Sequence, residues 1–376
     1  MAISLGFVTG ARSDYGLTRK LLSELSNDSD FEVYIYVTGL HLLDKYGYTI
    51  NEIMGDGHNI KKAISTYTED GRNKVYEFTT TVDKVYRALS NENLDAVYIV
   101  GDRIEAYASA LAAHFLGIPI VHYAGGQITK GAVDNIYRYN ISNLASIHLT
   151  TCKSAFERLR NNYPIESENV YLVGSTAVDA IFEYKKNPQP ISEVFPVLKQ
   201  GNFALMTFQP VTKSEEPIAA LMDSSIKKIL KYKVKVLVTY PNNDTGSEEI
   251  IKIIQRHQKN DNVIVSKSLG AAGYYTTLDN CSFVIGNSSS GIVEAPYFSK
   301  PVLNIGTRQE GRDKDVCVND IEPQGKQVEQ AIENGFKKEW PQCSCNHIYG
   351  TGNSIKKIKK ILVANFRRSY TRANGL

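Results

Sequence analysis

Short β-rich apolar runs alternate with amphipathic stretches along nearly the whole chain, and that alternation leaves few folds open. Strand then helix, repeated, builds a parallel sheet covered by helices. In the first half the expected strands are 3–9, 31–37, 96–100, 118–122, 147–150 and 170–173. Between them apolar residues take helical spacing: Leu17, Leu21, Leu22 and Leu25 share one face, and so do Ala108, Leu111, Ala112 and Phe115. The polar run Lys185-Lys186-Asn187-Pro188-Gln189-Pro190 then breaks both patterns, because proline suits neither element. The alternation restarts with 203–208, 234–239, 263–265, 282–285 and 302–305, and a last amphipathic stretch runs over 354–367. A chain of 376 residues is also too long for one ordinary core. The expected fold class is α/β, with two doubly wound Rossmann-like domains facing a cleft. They are expected at residues 1–186 and 187–352, with a helix at 353–376 able to pack back on the first. A ligand belongs where the carboxyl ends of the two sheets face one another.

Charge narrows the choice of partner. The 43 basic and 40 acidic side chains nearly cancel, which argues against nucleic acid or an anionic membrane. The run Lys356-Lys357-Ile358-Lys359-Lys360 reads as the solvated face of a helix. The first residues read as a strand and not as a signal peptide, and no run reaches the ~18 apolar residues that span a bilayer. A cytoplasmic protein is expected. Five cysteines, Cys152, Cys281, Cys317, Cys343 and Cys345, suit reduced thiols. Cys343-Ser344-Cys345 could be half of a metal site, but no second pair with zinc spacing accompanies it, and His347 alone does not complete one. Neither metal nor cofactor is expected.

Four loops that follow expected strands carry the chemistry. Thr9-Gly10-Ala11-Arg12-Ser13-Asp14-Tyr15-Gly16 opens a helix whose free amides favour an anion, and Arg12 can fork onto a phosphate. Gly101-Asp102-Arg103-Ile104-Glu105 sets three charges at a strand end, where a carboxylate can move protons and an arginine can hold it ionised. His122-Tyr123-Ala124-Gly125-Gly126-Gln127, with Asp134-Asn135 and Arg138, offers close backbone approach. Gly286-Asn287-Ser288-Ser289-Ser290-Gly291 has the small, donor-rich make-up of a diphosphate cradle, and Glu294 one turn on can accept both ribose hydroxyls. Pro241-Asn242-Asn243-Asp244-Thr245-Gly246 and Gly306-Thr307-Arg308 follow strands of the same domain. Each loop has a plain structural alternative: a tight turn with a surface arginine, a helix cap at Asp102, a turn, a serine-rich cap. His41, in Thr38-Gly39-Leu40-His41, is a further candidate, whereas His58, His114, His148, His257 and His347 read as surface or packing residues.

Taken in order from about Leu5 to Gly311, these segments, with Asn304-Ile305-Gly306-Thr307-Arg308-Gln309, resemble the hydrolysing UDP-N-acetylglucosamine 2-epimerases of bacterial sialic and legionaminic acid pathways. The resemblance implies a glycosyltransferase-B-type fold, a UDP-sugar substrate, and a homodimer or dimer of dimers. It implies UDP-binding roles for Arg12, Asn242, Ser288, Ser289, Glu294 and Arg308, substrate contacts for His41 and His122, and acid–base work around Asp102, Asp134, Arg103, Arg138, Gln127 and Gln209. Such an enzyme removes the proton at carbon 2, expels UDP, and adds water to the resulting glycal from the other side.

The departures from the family cluster in the acid–base set. The family's Gly-Gly-Glu is Gly125-Gly126-Gln127 here, its Asp-Asp or Asp-Glu is Asp134-Asn135, its Ile-Arg-His is Tyr137-Arg138-Tyr139, and its Phe-His-Pro is Phe208-Gln209-Pro210. None of the four replacements exchanges protons near neutral pH. The segment Ser268-Leu269-Gly270-Ala271-Ala272-Gly273 also lacks an arginine that several relatives carry. Three readings stay open: the hydrolysing epimerase with Asp102 and Asp134 at work, simpler transfer or hydrolysis at carbon 1, and a UDP-sugar-binding subunit without catalysis.

Overall fold

The computed structural model describes residues 2–68, 73–129, 134–162, 165–211, 215–242, 246–267, 269–337, 342–344 and 346–373. The chain forms two compact units, each with its own parallel sheet. The first comprises Met1–Gln127, Asp134–Ala180 and Tyr349–Leu376, and the second Ile128–Val133 and Ile181–Ile348.

The first unit holds seven strands: β1 (Ile3–Thr9), β2 (Phe31–Thr38), β3 (Ile60–Ile64), β4 (Ala96–Val100), β5 (Ile120–Tyr123), β6 (Ile147–Thr150) and β7 (Val170–Leu172). Their order is β3-β2-β1-β4-β5-β6-β7, every pair parallel. The central strands are continuous apolar runs because helices cover both faces, and all five residues of β4 are buried. The strand order reverses between β1 and β4, so the loops leaving their carboxyl ends flank the crevice where this fold takes ligands. β3 went unread in the sequence. It is an edge strand with exposed Lys61 and Lys62, the charged dressing that keeps an edge from pairing further.

The helix Ser354–Ala373 completes this core. Ile355, Ile358, Leu362 and Phe366 lie in one cluster with Leu5, Leu21 and Tyr98. Each such side chain contributes about 1.5–3 kcal/mol by leaving water. Asp179 caps the helix, accepting from the Ser354 and Ile355 amides at 3.0 and 3.1 Å. Lys356, Lys357 and Lys360 are exposed, as the charged-face reading expects, and Lys359 pairs with Asp28.

The second unit holds β8 (Phe203–Thr207), β9 (Lys235–Thr239), β10 (Val263–Ser266), β11 (Phe283–Gly286), β12 (Val302–Ile305) and β13 (Val318–Ile321), in the order β10-β9-β8-β11-β12-β13. Again the reversal, here between β8 and β11, sets a switch point. β13 is the second unread strand; Asn319 and Asp320 make its pattern polar, as suits an edge. Pro188 and Pro190 lie inside this unit, and the crossing from the first unit falls earlier, at Ala180–Ile181.

The cysteine reading needs correction. Cys317 and Cys343 form a disulfide across 26 residues, with Cα atoms 4.7 Å apart. Residue count gave no hint of it, because the fold brings the start of β13 against residues 342–344. Cys152 and Cys281 are buried and outside the disulfide, and Cys345 lies outside the described residues. Among the described residues no helix is long and apolar enough to cross a membrane.

Candidate active site

At the carboxyl end of β4 the chain turns through Gly101, at φ +71°, and sets Asp102 and Arg103 ahead of the helix Ile104–Phe115. Asp102 does not pair with its sequence neighbour. Its partner is Arg138, on the helix Asp134–Leu144, whose guanidinium is 2% exposed while Asp102 keeps 26% of its surface. The same guanidinium donates to the Gln127 carbonyl at 2.7 Å and to Asn135 Oδ1 at 2.8 Å. One arginine thus ties two further sequence candidates, Gln127 and Asn135, to Asp102. Gln127 is itself fixed, its Nε2 donating to Thr151 Oγ1 at 2.5 Å. Gly126, at φ +77°, lets the turn pass against the Ala155 carbonyl, which a Cβ would strike. Asp134 opens its helix half-buried.

Arg103 turns the other way, to Glu105 Oε1 at 2.5 Å, and Tyr67 donates to Glu105 Oε2 at 2.8 Å. Burial would raise the Glu105 carboxyl, but the Arg103 charge and hydrogen bond outweigh it and hold Glu105 below its usual range. Beside them Asp14 is buried in the first turn of the helix Arg12–Ser26, and burial pushes its carboxyl up to about 7 against the pull of Arg103. Arg12 is exposed at the start of that helix. Sequence reasoning quoted Asp14 and Glu105 within candidate loops but gave neither a role of its own, and it did not name Tyr67.

Both candidate histidines are fully buried. His41 bonds Thr9 Oγ1 at 3.0 Å and Thr49 Oγ1 at 2.7 Å, and burial lowers it to about 4. His122 bonds the Gly101 carbonyl at 2.8 Å and Ser142 Oγ at 3.1 Å, and burial lowers it to about 3. Both are neutral at physiological pH. Their bonds fix the turns after β1, β2 and β4.

In the second unit the strands end on a polar lattice around Asn287, which is fully buried. Asn287 Oδ1 accepts from the Gln209 amide at 2.6 Å, and its Nδ2 donates to the Gln209 carbonyl at 2.8 Å. Gln209 Oε1 accepts from the Asn242 amide at 2.6 Å. The Asn287 carbonyl accepts from Arg308 Nη1 at 3.2 Å and Gln309 Nε2 at 2.8 Å. Gln209, Asn242 and Arg308 are therefore gathered about one asparagine that the sequence reading did not single out. Gly286, at φ +139°, brings the chain against the Thr207 carbonyl where no Cβ fits. Ser288 caps the short helix Ser289–Val293, its Oγ 3.1 Å from Ser290 Oγ, and Tyr274 bonds Ser290. Glu294 ends that helix, and burial pushes its carboxyl up to about 7. Thr307 donates to Glu216 Oε1 from its amide at 3.1 Å and its hydroxyl at 2.5 Å, which fixes the loop carrying Arg308. Asn243, Asp244, Thr245 and Ser268 lie outside the described residues.

The model of the family described as UDP-N-acetylglucosamine 2-epimerase matches residues 23–363. The chain belongs to this epimerase family. It is 30% identical over 366 residues to the UDP-N,N'-diacetylbacillosamine 2-epimerase (hydrolyzing) of Legionella pneumophila, covering 95% of this chain and 94% of that protein. It is 29% identical to the GDP/UDP-N,N'-diacetylbacillosamine 2-epimerase (hydrolyzing) of Campylobacter jejuni, covering 89% and 88%. Its fold matches that of the UDP-GlcNAc 2-epimerase from Neisseria meningitidis bound to UDP-GlcNAc, with a TM-score of 0.81 over 96% of this chain and 100% of that one, at 16% identity.

Proposed function

We propose that this epimerase-family chain acts on a UDP-linked N-acetylhexosamine, hydrolysing it with inversion at carbon 2, and that Asp102 and Asp134 carry the proton transfers. The observation that carries the reading is the Asp102–Arg138 ion pair, built with the Gln127 carbonyl and Asn135 at the sheet's switch point. A guanidinium partner favours the carboxylate over the acid, so Asp102 can accept a proton, though the same charge weakens it as a base. Arg138 orients it, and Arg103, anchored by Glu105, supplies a positive charge one residue away. UDP binds on the second unit. Backbone amides and hydroxyls of Ser288 and Ser289 take the diphosphate, Arg308 adds a charge-assisted bond, Asn242 lines the same site, and Glu294 accepts the ribose hydroxyls; on the first unit Arg12 is the candidate for a phosphate. The relatives named for diacetylbacillosamine support a 2,4-diacetamido sugar ahead of N-acetylglucosamine. The assembly expected is a homodimer or dimer of dimers, which sedimentation reads directly.

Proton NMR of each UDP-sugar in deuterated water tests the reaction. Abstraction at carbon 2 puts deuterium there and releases the inverted free sugar. Release of UDP with carbon 2 still protonated would instead mean chemistry at carbon 1.

A second reading, a UDP-sugar binder with little turnover, has its own support. Positions 127, 135, 139 and 209 hold no group that titrates near neutrality, and Gln127 and Gln209 are committed to Thr151 and Asn242. With His41 and His122 also neutral, few proton carriers remain.

A further inference from the structure

We infer that Asp315, Cys317 and Cys343, when the cysteine pair is reduced, form a binding site for a thiophilic divalent cation of the zinc class. One ligand atom from each lies within 4.8 Å of the others, and Cys317 is fully buried. The carboxylate is already oriented: Asp315 Oδ1 accepts from the Cys317 amide at 3.3 Å and the Ser344 amide at 3.0 Å, and Oδ2 accepts from Ser344 Oγ at 2.7 Å. Such hydrogen bonds are the ones that hold a metal-ligating carboxylate in place. Cys317 is equally fixed, because its carbonyl accepts from the Val302 amide at 2.9 Å at the start of the β12–β13 pairing.

Two sulfurs and a carboxylate are a donor set that tetrahedral zinc accepts, with water in the fourth position. The fold supplies what spacing alone lacked, since the partners of Cys343 lie 26 and 28 residues upstream. His347 is not needed; its ring packs 5.8 Å from Tyr297 and 6.3 Å from Phe182, centroid to centroid. The chemistry balances simply. A phosphine or dithiol reductant gives the disulfide two electrons, two protons are taken up, and two thiols form. The cation binds both sulfurs as thiolates and releases those two protons. Disulfide and metal are thus alternative staples between the same two segments, each suited to one redox condition.

The test uses the full chain with Cys345→Ser, so that Cys345 adds no thiolate. After phosphine reduction and desalting, cobalt(II) is titrated in. The expected result is a sulfur-to-cobalt charge-transfer band that saturates at one cobalt per chain and is displaced by zinc. The band is expected to be absent in the oxidised protein and in Cys317→Ser, and to need at least about tenfold more cobalt in Asp315→Asn. No band in the reduced protein, or an undiminished band in Cys317→Ser, overturns the site. Should Cys317→Ser not fold, alkylation of the reduced parent decides: zinc is expected to slow labelling of Cys317 and Cys343, and equal rates with and without zinc overturn it.

Discussion

At the scale of single residues, Arg138 explains how a site can be present while its proton carriers are few. It holds Asp102, the Gln127 carbonyl and Asn135 together, a geometry that survives when Glu becomes Gln and Asp or Glu becomes Asn. Restoring Gln127→Glu and Gln209→His together is therefore expected to raise the rate of free-sugar and UDP release above the parent. Acid and base act as a unit, so single changes need not add. A parent already turning over at about 1–10³ per second, or a double variant no faster, would mean that the chemistry lies elsewhere. Arg308→Ala should weaken UDP binding by about 1.5–3 kcal/mol, read by calorimetry, since an arginine–phosphate set is worth that much. Unchanged affinity would remove Arg308 from the site. The sequence could name Asp102 and Arg138 separately. It could not pair them across 36 positions, and it could not tell that His41 and His122 point into the core, because a histidine after a strand reads the same facing either way.

Among the elements, the apolar central strands were legible and the two edge strands were not. β3 and β13 carry lysine, asparagine and aspartate where a buried strand carries valine, and only pairing to a neighbour makes them strands. The helix Ser354–Ala373 was legible from its apolar stripe, but its cap was not, since Asp179 is 175 residues from Ser354. Asp179→Ala leaves two helix amides without their acceptor and should cost about 1–2 kcal/mol. Leu362→Ala should cost about 2–5 kcal/mol by opening a cavity in the first unit's core. Urea unfolding reads both. Midpoints equal to the parent's would show that the helix adds nothing to that core.

Over the whole molecule, the two units should respond oppositely to acid. In the first, His41, His122 and His148 are held neutral down to about 4, 3 and 4, whereas unfolded histidines charge near 6.5. Below that pH the unfolded chain takes up protons the folded unit refuses, so stability falls as pH falls. Asp14 works the other way: its folded carboxyl stays protonated from about 7 downward, while the unfolded one ionises at 3.8, so it adds stability on acidification. His58 is lowered by burial as well, so four histidines against one acid leave the first unit less stable as pH falls from 6.5 to 5. In the second unit Glu294, raised from 4.5 to about 7, adds stability over the same interval. Calorimetry at pH 7 and 5 should show the transitions moving apart. Both moving down together would count against this assignment.

The helix that closes the first unit also sets a schedule. Residues 354–366 leave the ribosome only after the second unit has been made, and at about 5–20 residues per second that unit takes roughly 10–30 s to translate. The second unit, contiguous but for a short upstream segment, can fold while the chain is still growing. The first must wait with part of its apolar surface uncovered, and is the part of the nascent chain that a chaperone would hold.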